Sequence, residues 1–259
     1  MAEERIQKIL ARAGLGARRK CETLITEGRV KVNGVTVSAL GEKADSERDE
    51  ISVDGNPILT NEICYVMFNK PAGCLTTALP DQHGRATVMD YFEDFPVRVF
   101  PVGRLDFDTE GLLILTNDGA FTQQVLHPSH KVYKTYEAVV NGIPGETTLD
   151  LLRSGIELDD GITSPARVRL IGTRIMPPPV ERNKRLRAQE PLKASIISIS
   201  IREGRKRQVR RMFRAGGHEV LQLRRIRIGA LDLGNLPAGA HKILTPEQAA
   251  LALKEIIRD

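Results

Sequence analysis

Residues 102–119 constrain the fold of this chain more than any other segment, because they join a buried strand to an isolated acidic side chain. The apolar run 112–116 has the composition of a core strand, and residues 117–119 after it form a strong turn signal. Before the strand, Asp106 stands between two apolar residues. A carboxylate in such surroundings is costly unless it is paired with a cation or takes part in chemistry. The segment therefore predicts a loop that holds one carboxylate rigidly at the entrance to a core strand.

These residues alone leave two interpretations of Asp106 open. The side chain caps a turn or pairs with Arg104, or it takes part in a reaction. Asp108 and Glu110 add two further acids to the loop, and paired carboxylates can cleave glycosidic bonds. Adjacent acids in one loop usually point in different directions, however, and a sugar hydrolase has little use for the arginine-rich segment 201–227. A glycosidase is therefore disfavoured.

The positive charge of the chain is concentrated in two segments. The formal net charge of the 259 residues is +5. Residues 1–31 hold eight Lys or Arg against four acids, and residues 201–227 hold ten against two. A basic surface favours a polyanionic partner such as a nucleic acid. The two segments predict either two contacts with one nucleic acid, or one contact and one solvated surface. The length is that of about one or two domains.

The cysteines and histidines indicate neither a disulfide framework nor a metal site. Cys21, Cys64 and Cys74 are unclustered, and the five histidines are scattered. Free thiols are typical of the reducing cytoplasm, and the spacing of these cysteines and histidines matches no recognisable metal-binding motif. The chain shows no apolar signal region and no run near the roughly 20 apolar residues that cross a membrane. A cytoplasmic protein without a membrane contact is expected.

The first 60 residues predict a small module of two helices and a hairpin. Apolar residues recur at helical spacing in 6–13 and 21–25, and a glycine follows each run. Asn33-Gly34 joins two short alternating strands, which is the strongest short-range hairpin signal. A cluster of cations stands at the start of the second helix, where the helix dipole disfavours positive charge unless phosphates lie opposite. The candidate phosphate contacts in this cluster are Arg18, Arg19 and Lys20.

The pattern changes from residue 63 onward. Strand-like runs and helical stretches mix there without the even alternation of a doubly wound sheet. The fold class expected is α+β. The N-terminal module is followed in the chain by a domain with a mixed, mostly antiparallel sheet and flanking helices. Residues 174–193 are rich in proline and basic residues and predict an exposed loop. This loop is either an RNA contact or a passive insertion.

The segment 102–119 resembles the signature of the RsuA-like pseudouridine synthases, which isomerise specific uridines in ribosomal RNA. The resemblance rests on Gly103-Arg104-Leu105-Asp106, Thr109, Gly111-Leu112-Leu113 and Thr116-Asn117-Asp118-Gly119. In that family the aspartate of the motif is catalytic, which implies this role for Asp106. The reaction breaks the glycosidic bond, rotates the uracil and rejoins it through carbon, with no redox change. One carboxylate suffices in principle, so neither a cofactor nor a metal is expected.

Residues 132–137 resemble the family's Lys-x-Tyr motif, whose tyrosine packs on the target base. The resemblance implies this role for Tyr136, and a phenol offers both a stacking face and a polar tip. On a continuous strand, Tyr133 would then face the opposite side of the sheet. Arg104 is assigned to opening the RNA or filling the place of the flipped nucleotide.

Residues 203–213 resemble the family's late motif, in which a basic residue pairs with the catalytic aspartate. The resemblance implies that Arg210 pairs with Asp106 and keeps that carboxylate ionised. The neighbouring basic side chains are interpreted as phosphate contacts, which set affinity and register more than base choice. These are Arg205, Lys206, Arg207 and Arg211.

Residues 11–20 and 27–34 resemble the alpha-L RNA-binding module, first known from a small-subunit ribosomal protein. The predicted division is therefore an RNA-binding domain over 1–60 and a catalytic domain over 62–245.

The function implied is site-specific pseudouridine formation in large-subunit (23S) ribosomal RNA, because the motifs are most similar to the family's large-subunit branch. The same reaction on small-subunit (16S) RNA is one alternative, and a non-catalytic RNA-binding assembly factor is another. The expected partner is ribosomal RNA or a ribosomal assembly intermediate, and the protein is expected to be a monomer. Whether Asp106 attacks the base or the ribose stays open.

Overall fold

The computed structural model describes residues 3–59, 61–176 and 192–255. Its α-helices are α1 (Ile6–Arg12), α2 (Arg18–Thr26), α3 (Gly119–Leu126), α4 (Glu146–Ser154), α5 (Gln208–Ala215) and α6 (Pro246–Ala250). Short 3₁₀ helices cover Val88–Phe92, Pro128–His130 and Leu251–Leu253. None of the helices in the described ranges is long and apolar enough to cross a membrane.

The strands fall into a small N-terminal group and a larger group that follows it. The first group is β1 (Glu4–Arg5), β2 (Val30–Val32), β3 (Val35–Val37), β4 (Lys43–Ala44), β5 (Ile51–Val53) and β6 (Asn56–Pro57). The second is β7 (Tyr65–Lys70), β8 (Phe100–Pro101), β9 (Glu110–Thr116), β10 (Lys134–Asn141), β11 (Glu157–Leu158), β12 (Gly161–Ile162), β13 (Arg167–Met176), β14 (Leu192–Ile201), β15 (Val220–Ile228), β16 (Leu231–Asp232) and β17 (His241–Leu244).

The N-terminal residues build a core of their own. Helices α1 and α2 pack over an antiparallel sheet of order β3-β2-β5-β6. The predicted hairpin is confirmed, because Asn33 and Gly34 both have positive φ, 49° and 79°, as the favoured two-residue hairpin turn requires. The buried side chains of this core are Ile6, Ile9, Leu10, Cys21, Leu24, Ile25, Val30, Val37, Ala44, Ile51 and Val53.

A mixed sheet dominates the rest of the molecule. Within the described residues its order is β13-β14-β10-β15-β9-β7-β17, with β8 beside β9 and β16 beside β15. The pairing of β15 with β9 is parallel, and the neighbouring pairs are antiparallel. The predicted α+β fold class with a mostly antiparallel sheet is confirmed.

Strand β9 is buried on both of its faces, which explains its uninterrupted apolar sequence. Leu112 and Ile114 pack on one side with residues of α3 and α6. Leu113 and Leu115 pack on the other side, with β7 and the 3₁₀ helix Val88–Phe92. A third cluster lies under β10, β14 and β15, where α4 and α5 cover the sheet. The loop that enters β9 is therefore anchored to the most buried strand of the sheet.

Two boundaries differ from the sequence-based expectation. The predicted loop 174–193 was wrong at both ends, because residues 174–176 pair with residues 192–194 as continuations of β13 and β14. Backbone hydrogen bonding outweighs the polar composition at these positions. Residues 177–191 lie outside the described residues. At the C-terminus, Ala249 and Ala252 are buried in the core beside β9, so the packed domain runs past the predicted end at 245.

Candidate active site

Residues 102–109 form a loop between β8 and β9 that carries Asp106. Neighbouring segments hold its backbone at several points. The bonds are Lys70 Nζ to Thr109 O (2.9 Å), Gly73 N–H to Phe107 O (2.8 Å) and Thr76 Oγ1 to Leu105 O (2.9 Å). Lys70 is fully buried. Burial lowers the pKa of Lys70, while Cys74 and the acids of the loop oppose that shift. The loop is therefore hydrogen-bonded to the buried ammonium group of Lys70.

Gly111 fixes the end of the loop, where β9 begins. Its φ is +107°, a conformation that side-chain-bearing residues rarely adopt. A Cβ atom on Gly111 would lie 2.2 Å from the backbone oxygen of Arg225 on β15. Only glycine allows β9 and β15 to meet this closely, and this parallel contact places Arg225 next to the loop.

The Asp106 carboxylate has no hydrogen bond and no ion pair within the described parts of the chain, and the residue is partly buried. The backbone oxygen of Asp106 accepts the N–H of Thr109 at 3.1 Å, which closes the loop. Arg104 is exposed and likewise forms no hydrogen bond or ion pair among the described residues. The structural interpretation, in which Asp106 caps a turn or pairs with Arg104, is therefore wrong. The carboxylate is left available for chemistry.

Asp106 faces a cavity of about 1230 Å³ between the loop and the sheet. This volume is above the roughly 300–1,000 Å³ of typical small-molecule pockets and fits a larger substrate group. Tyr136 and Arg104 also line the cavity. Tyr136 packs against the apolar clusters on both sides of it, so its ring is held in place and only partly buried. The predicted site residues Arg205, Lys206 and Arg207 line it as well, so the structure brings six of the predicted site residues to one cavity.

The expectation for Tyr133 was wrong, since Tyr133 lines the same cavity as Tyr136. Alternation fails because β10 begins only at Lys134, and its register with β15 shifts between residues 135 and 136. The guanidinium carbons of Arg167 and Arg202 lie 4.1 Å and 4.4 Å from the centre of the Tyr133 ring. These cation–π contacts hold the ring at the cavity wall.

Arg210 contacts Asp108, whereas the predicted partner was Asp106. Its Nη2 donates to the backbone oxygen of Asp108 at 2.9 Å and lies 3.3 Å from Asp108 Oδ2. Its Nη1 donates to the backbone oxygen of Val220 at 2.9 Å. The predicted direct pair with Asp106 needs correction, because these contacts aim the guanidinium at the next acid of the loop. The charge of Arg210 reaches Asp106 only at longer range.

Arg207 also binds Asp108, through two hydrogen bonds of 2.9 Å each. Burial raises the pKa of Asp108, but the hydrogen bonds of Arg207 and the charges of Arg210 and Arg207 outweigh it, so the pKa lies below its ordinary value. Asp108 is thereby held ionised between two arginines. This network ties the loop to α5.

Most of the predicted phosphate contacts near α5 are engaged within the protein. Arg205 donates to Asp160 and to the backbone oxygens of Gly161 and Ile162, and Arg211 also pairs with Asp160. Lys206, in contrast, is exposed and has no ion pair among the residues that the structure describes. These contacts argue against direct phosphate binding by Arg205, Arg207 and Arg211. For Lys206 the phosphate contact stays a prediction.

The N-terminal cations lie exposed at the start of α2, as predicted. Arg18 extends toward the other domain, where a Cβ atom on Gly119 would meet its guanidinium. Arg19 and Lys20 form no ion pair within the described ranges and face solvent. These two side chains are free to meet a phosphate backbone.

Three charged residues of the site escaped the sequence analysis: Lys70 under the loop, and Lys134 and Arg225 at the cavity. Lys70 follows a buried strand directly, and a charge at that point is the one signal that could have revealed it. Lys134 was noted only as part of the Lys-x-Tyr motif. Arg225 belongs to an arginine-rich run, in which composition does not distinguish a buried arginine from solvated ones.

Two family models match this chain. The model of the family described as RNA pseudouridylate synthase matches residues 64–215, and the model of the S4 domain matches residues 4–51. The chain belongs to the RNA pseudouridylate synthase family. The matched range contains the Asp106 loop, Tyr136 and α5. The S4 match coincides with the predicted alpha-L module.

The relatives of this synthase cover nearly its whole length. It is 44% identical to the Ribosomal large subunit pseudouridine synthase B of Bacillus subtilis (strain 168), over 95% of this chain and 93% of that protein. It is 41% identical to an uncharacterized RNA pseudouridine synthase of Aquifex aeolicus (strain VF5), over 99% and 96%. A crystal structure of a pseudouridylate synthase superposes with a TM-score of 0.62 at 28% identity, over 96% of this chain and 99% of that one.

Proposed function

We propose that this synthase converts uridine to pseudouridine in the RNA of the large ribosomal subunit, with Asp106 as its catalytic residue. The observation that supports the role of Asp106 is its carboxylate, which faces the cavity without a protein partner among the described residues. The choice of RNA follows from the Bacillus subtilis relative, which is named as a large-subunit enzyme.

The reaction needs a reacting carboxylate, a held uracil and a site from which water is excluded. A nucleotide must leave its stack and enter the cavity, since the atoms that react are not accessible inside a helix. Asp106 then acts as the nucleophile or stabilises the charge that develops on the sugar or the base. Tyr136 supplies a flat face for the uracil, and stacking of this kind contributes about 1–3 kcal/mol per base. Arg104, exposed at the rim, takes the place of the flipped nucleotide.

The arginines of α5 position the loop in this proposal. Arg207 and Arg210 hold Asp108, which lies two residues after Asp106, so the loop cannot move away from the cavity without breaking these ionic contacts, in which the Arg210 side chain is largely buried. Such contacts are costly to break when one partner stays buried. Both arginines are therefore positioning residues.

The RNA contacts proposed outside the cavity are Arg19 and Lys20, and Lys206 is a third at its rim; all three are exposed cations. Arg18 contributes where α2 meets the second domain. The division into 1–60 and 62–245 is proposed as the functional one, with the packed end extended to α6 and the 3₁₀ turn after it. The monomeric state and the cytoplasmic location stay predictions.

Replacement of Asp106 by Asn tests the catalytic assignment. Asp106→Asn keeps the size of the side chain and removes its charge, so we expect a folded protein that binds RNA and forms no detectable pseudouridine. Chemical mapping of pseudouridines in an rRNA transcript measures this, beside thermal unfolding and an RNA-binding titration. Asp94→Asn, an exposed change outside the cavity, is the matched control and should retain activity. Activity of Asp106→Asn near that of the control would remove Asp106 from its role.

The choice of subunit is tested in cells that lack the protein. Pseudouridine mapping of both ribosomal RNAs should show the loss of a modification in the large-subunit RNA, restored by the wild-type gene and not by Asp106→Asn. Loss of a modification in the small-subunit RNA instead would identify that RNA as the target. An unchanged map in both RNAs would favour the non-catalytic assembly factor.

A further inference from the structure

Arg225 is a buried cation with an unused hydrogen-bond donor. The side chain is 5% exposed, and its Nε donates to the backbone oxygen of Leu112 at 2.7 Å. Its Nη2 is buried and has no hydrogen-bond partner. A buried donor left without a partner is costly, and the cost is larger for a charged group. The position of Arg225 therefore needs a reason beyond the stability of the fold.

The neighbours of Arg225 give a reason for its position. On β15 it lies directly opposite Tyr136 of β10 and, on its other side, opposite Gly111 of β9. It thus stands between the tyrosine proposed to hold the base and the strand that follows the Asp106 loop. Arg225 lines the same cavity as Asp106 and Tyr136. The guanidinium forms part of the floor on which a flipped base would rest.

Lys134 is a second cation of this cavity that lies near Arg225. It is two residues before Tyr136 on the same strand and also lines the cavity. The described part of the chain offers its ammonium group no hydrogen bond and no ion pair. Burial, with the nearby charge of Arg225, lowers the pKa of Lys134 to about 8. Two neighbouring cations that have no ion pair among the described residues favour an anionic ligand.

We propose that Arg225, assisted by Lys134, binds the uracil anion that exists between the breaking and the rejoining of the glycosidic bond. This inference rests on the proposed function. When the bond between C1′ and N1 breaks, its electron pair stays on the base and spreads over N1 and the two carbonyl oxygens. The guanidinium and the ammonium bind these oxygens while the ring rotates. The electron-deficient C1′ is meanwhile bonded to, or stabilised by, the Asp106 carboxylate. The anion then attacks C1′ through C5 and frees that carboxylate, C5 loses its proton, and N1 gains one, so atoms and charge balance.

Binding of this kind accelerates a reaction because it acts on charge that is absent from the ground state. Neutral uridine gains little from two cations, whereas the detached anion gains much more in a cavity of low dielectric constant. The alternative ligand for such cations is a phosphate group of the RNA. Arg225 lies on the buried floor beside the base platform, and a phosphate would remain nearer the exposed rim at Arg104 and Lys206.

The test compares two leaving groups in the full-length enzyme. Fluorine at C5 stabilises the departing base anion, so a substrate with 5-fluorouridine at the target depends less on the cations. For Arg225→Met we expect a single-turnover loss of about 10²–10³-fold with uridine. With 5-fluorouridine, cleavage of the glycosidic bond should fall by a much smaller factor. Consumption of the target nucleoside, measured by mass spectrometry after nuclease digestion, reports both rates.

Arg224→Met is the matched control, because this neighbouring arginine of β15 does not line the cavity. It should leave both rates unchanged, and both variants should bind RNA with wild-type affinity. Equal losses of Arg225→Met on both substrates would indicate a merely structural role and overturn the inference. Weaker RNA binding with full single-turnover rates would assign Arg225 to a phosphate instead. A wild-type enzyme inactive on ribosomal RNA would overturn the proposed function and this inference with it.

Discussion

The two aspartates of the Asp106 loop differ in the contacts that their side chains make. Asp108 binds Arg207 and Arg210, whereas Asp106, two residues earlier, faces the cavity without a partner in the described chain. A carboxylate that is already paired is a poor nucleophile, because the bound cation stabilises its negative charge. One acid of the loop is therefore bound to the protein, and the other is the one proposed to meet the substrate.

The pKa of Lys134 makes the pH dependence of the enzyme a test at the residue scale. Burial and Arg225 lower this pKa to about 8, so the ammonium is charged at neutral pH and loses its proton as the pH rises through 8. If the charge acts on the uracil anion, kcat/KM should fall above pH 8, since kcat/KM reports the pKa values of the free enzyme. Lys134→Arg keeps its charge at this pH and should move the fall to higher pH.

Ionisation of the uracil itself affects both enzymes equally, so the difference between the two profiles isolates Lys134. Initial rates of pseudouridine formation between pH 6 and about 10 give the profiles. Superimposable profiles for the wild type and Lys134→Arg would argue against a role of this ammonium group.

Among the elements, β9 does most to position the site. It is buried on both faces, pairs with β7, and lies in close contact with β15 at Gly111, its second residue. The loop that carries Asp106 ends directly before β9. The buried strand therefore fixes one end of this loop relative to the sheet.

Gly111→Ala should disrupt this arrangement. The added Cβ would lie 2.2 Å from a backbone oxygen of β15, at a φ of +107°. We expect a loss of about 3 kcal/mol in the free energy of unfolding, measured by urea titration, together with reduced turnover. Gly172→Ala on β13 is the matched control, because a Cβ there would meet nothing within 4 Å. Equal stabilities of the two variants would contradict the close approach.

At the scale of the whole molecule, two cores are joined by a polar contact surface. Arg98 donates to the backbone oxygen of Gly16 at 2.7 Å, and Asn61 donates to that of Arg12 at 3.3 Å. The N-terminal core shares none of its buried residues with the clusters of the large sheet. The N-terminal module thus has a core of its own and contacts the larger domain through polar groups.

The salt dependence of RNA binding tests the phosphate contacts proposed for this module. Changing Arg19 and Lys20 together to Ala should make the slope of log affinity against log salt shallower by about 1.4–1.8, because two phosphate contacts are lost. Arg205→Ala should leave the slope nearly unchanged, because its guanidinium is bound to Asp160 and to backbone oxygens. An unaltered slope in the double variant, or a change as large in Arg205→Ala, would reverse the assignment of RNA contacts.

The sequence by itself determined the local features of this protein. The apolar run of β9, the Asn33-Gly34 hairpin and the helical spacing of α1 and α2 predicted the elements that form, because each depends on residues close together in the chain. The motif around Asp106 indicated the family for the same reason. The Lys-x-Tyr motif likewise indicated Tyr136, which lines the same cavity as Asp106.

Only the tertiary structure decided which charged groups meet. Arg210 binds Asp108 and not Asp106, and Arg205 turns to Asp160, because an ion pair depends on how α5 lies against loops distant in sequence. Burial of Lys70 and Arg225 is equally invisible in composition, since an arginine-rich run is usually solvated. Short-range patterns specify strands and helices, whereas the electrostatics of the site depends on distances that exist only after those elements have packed.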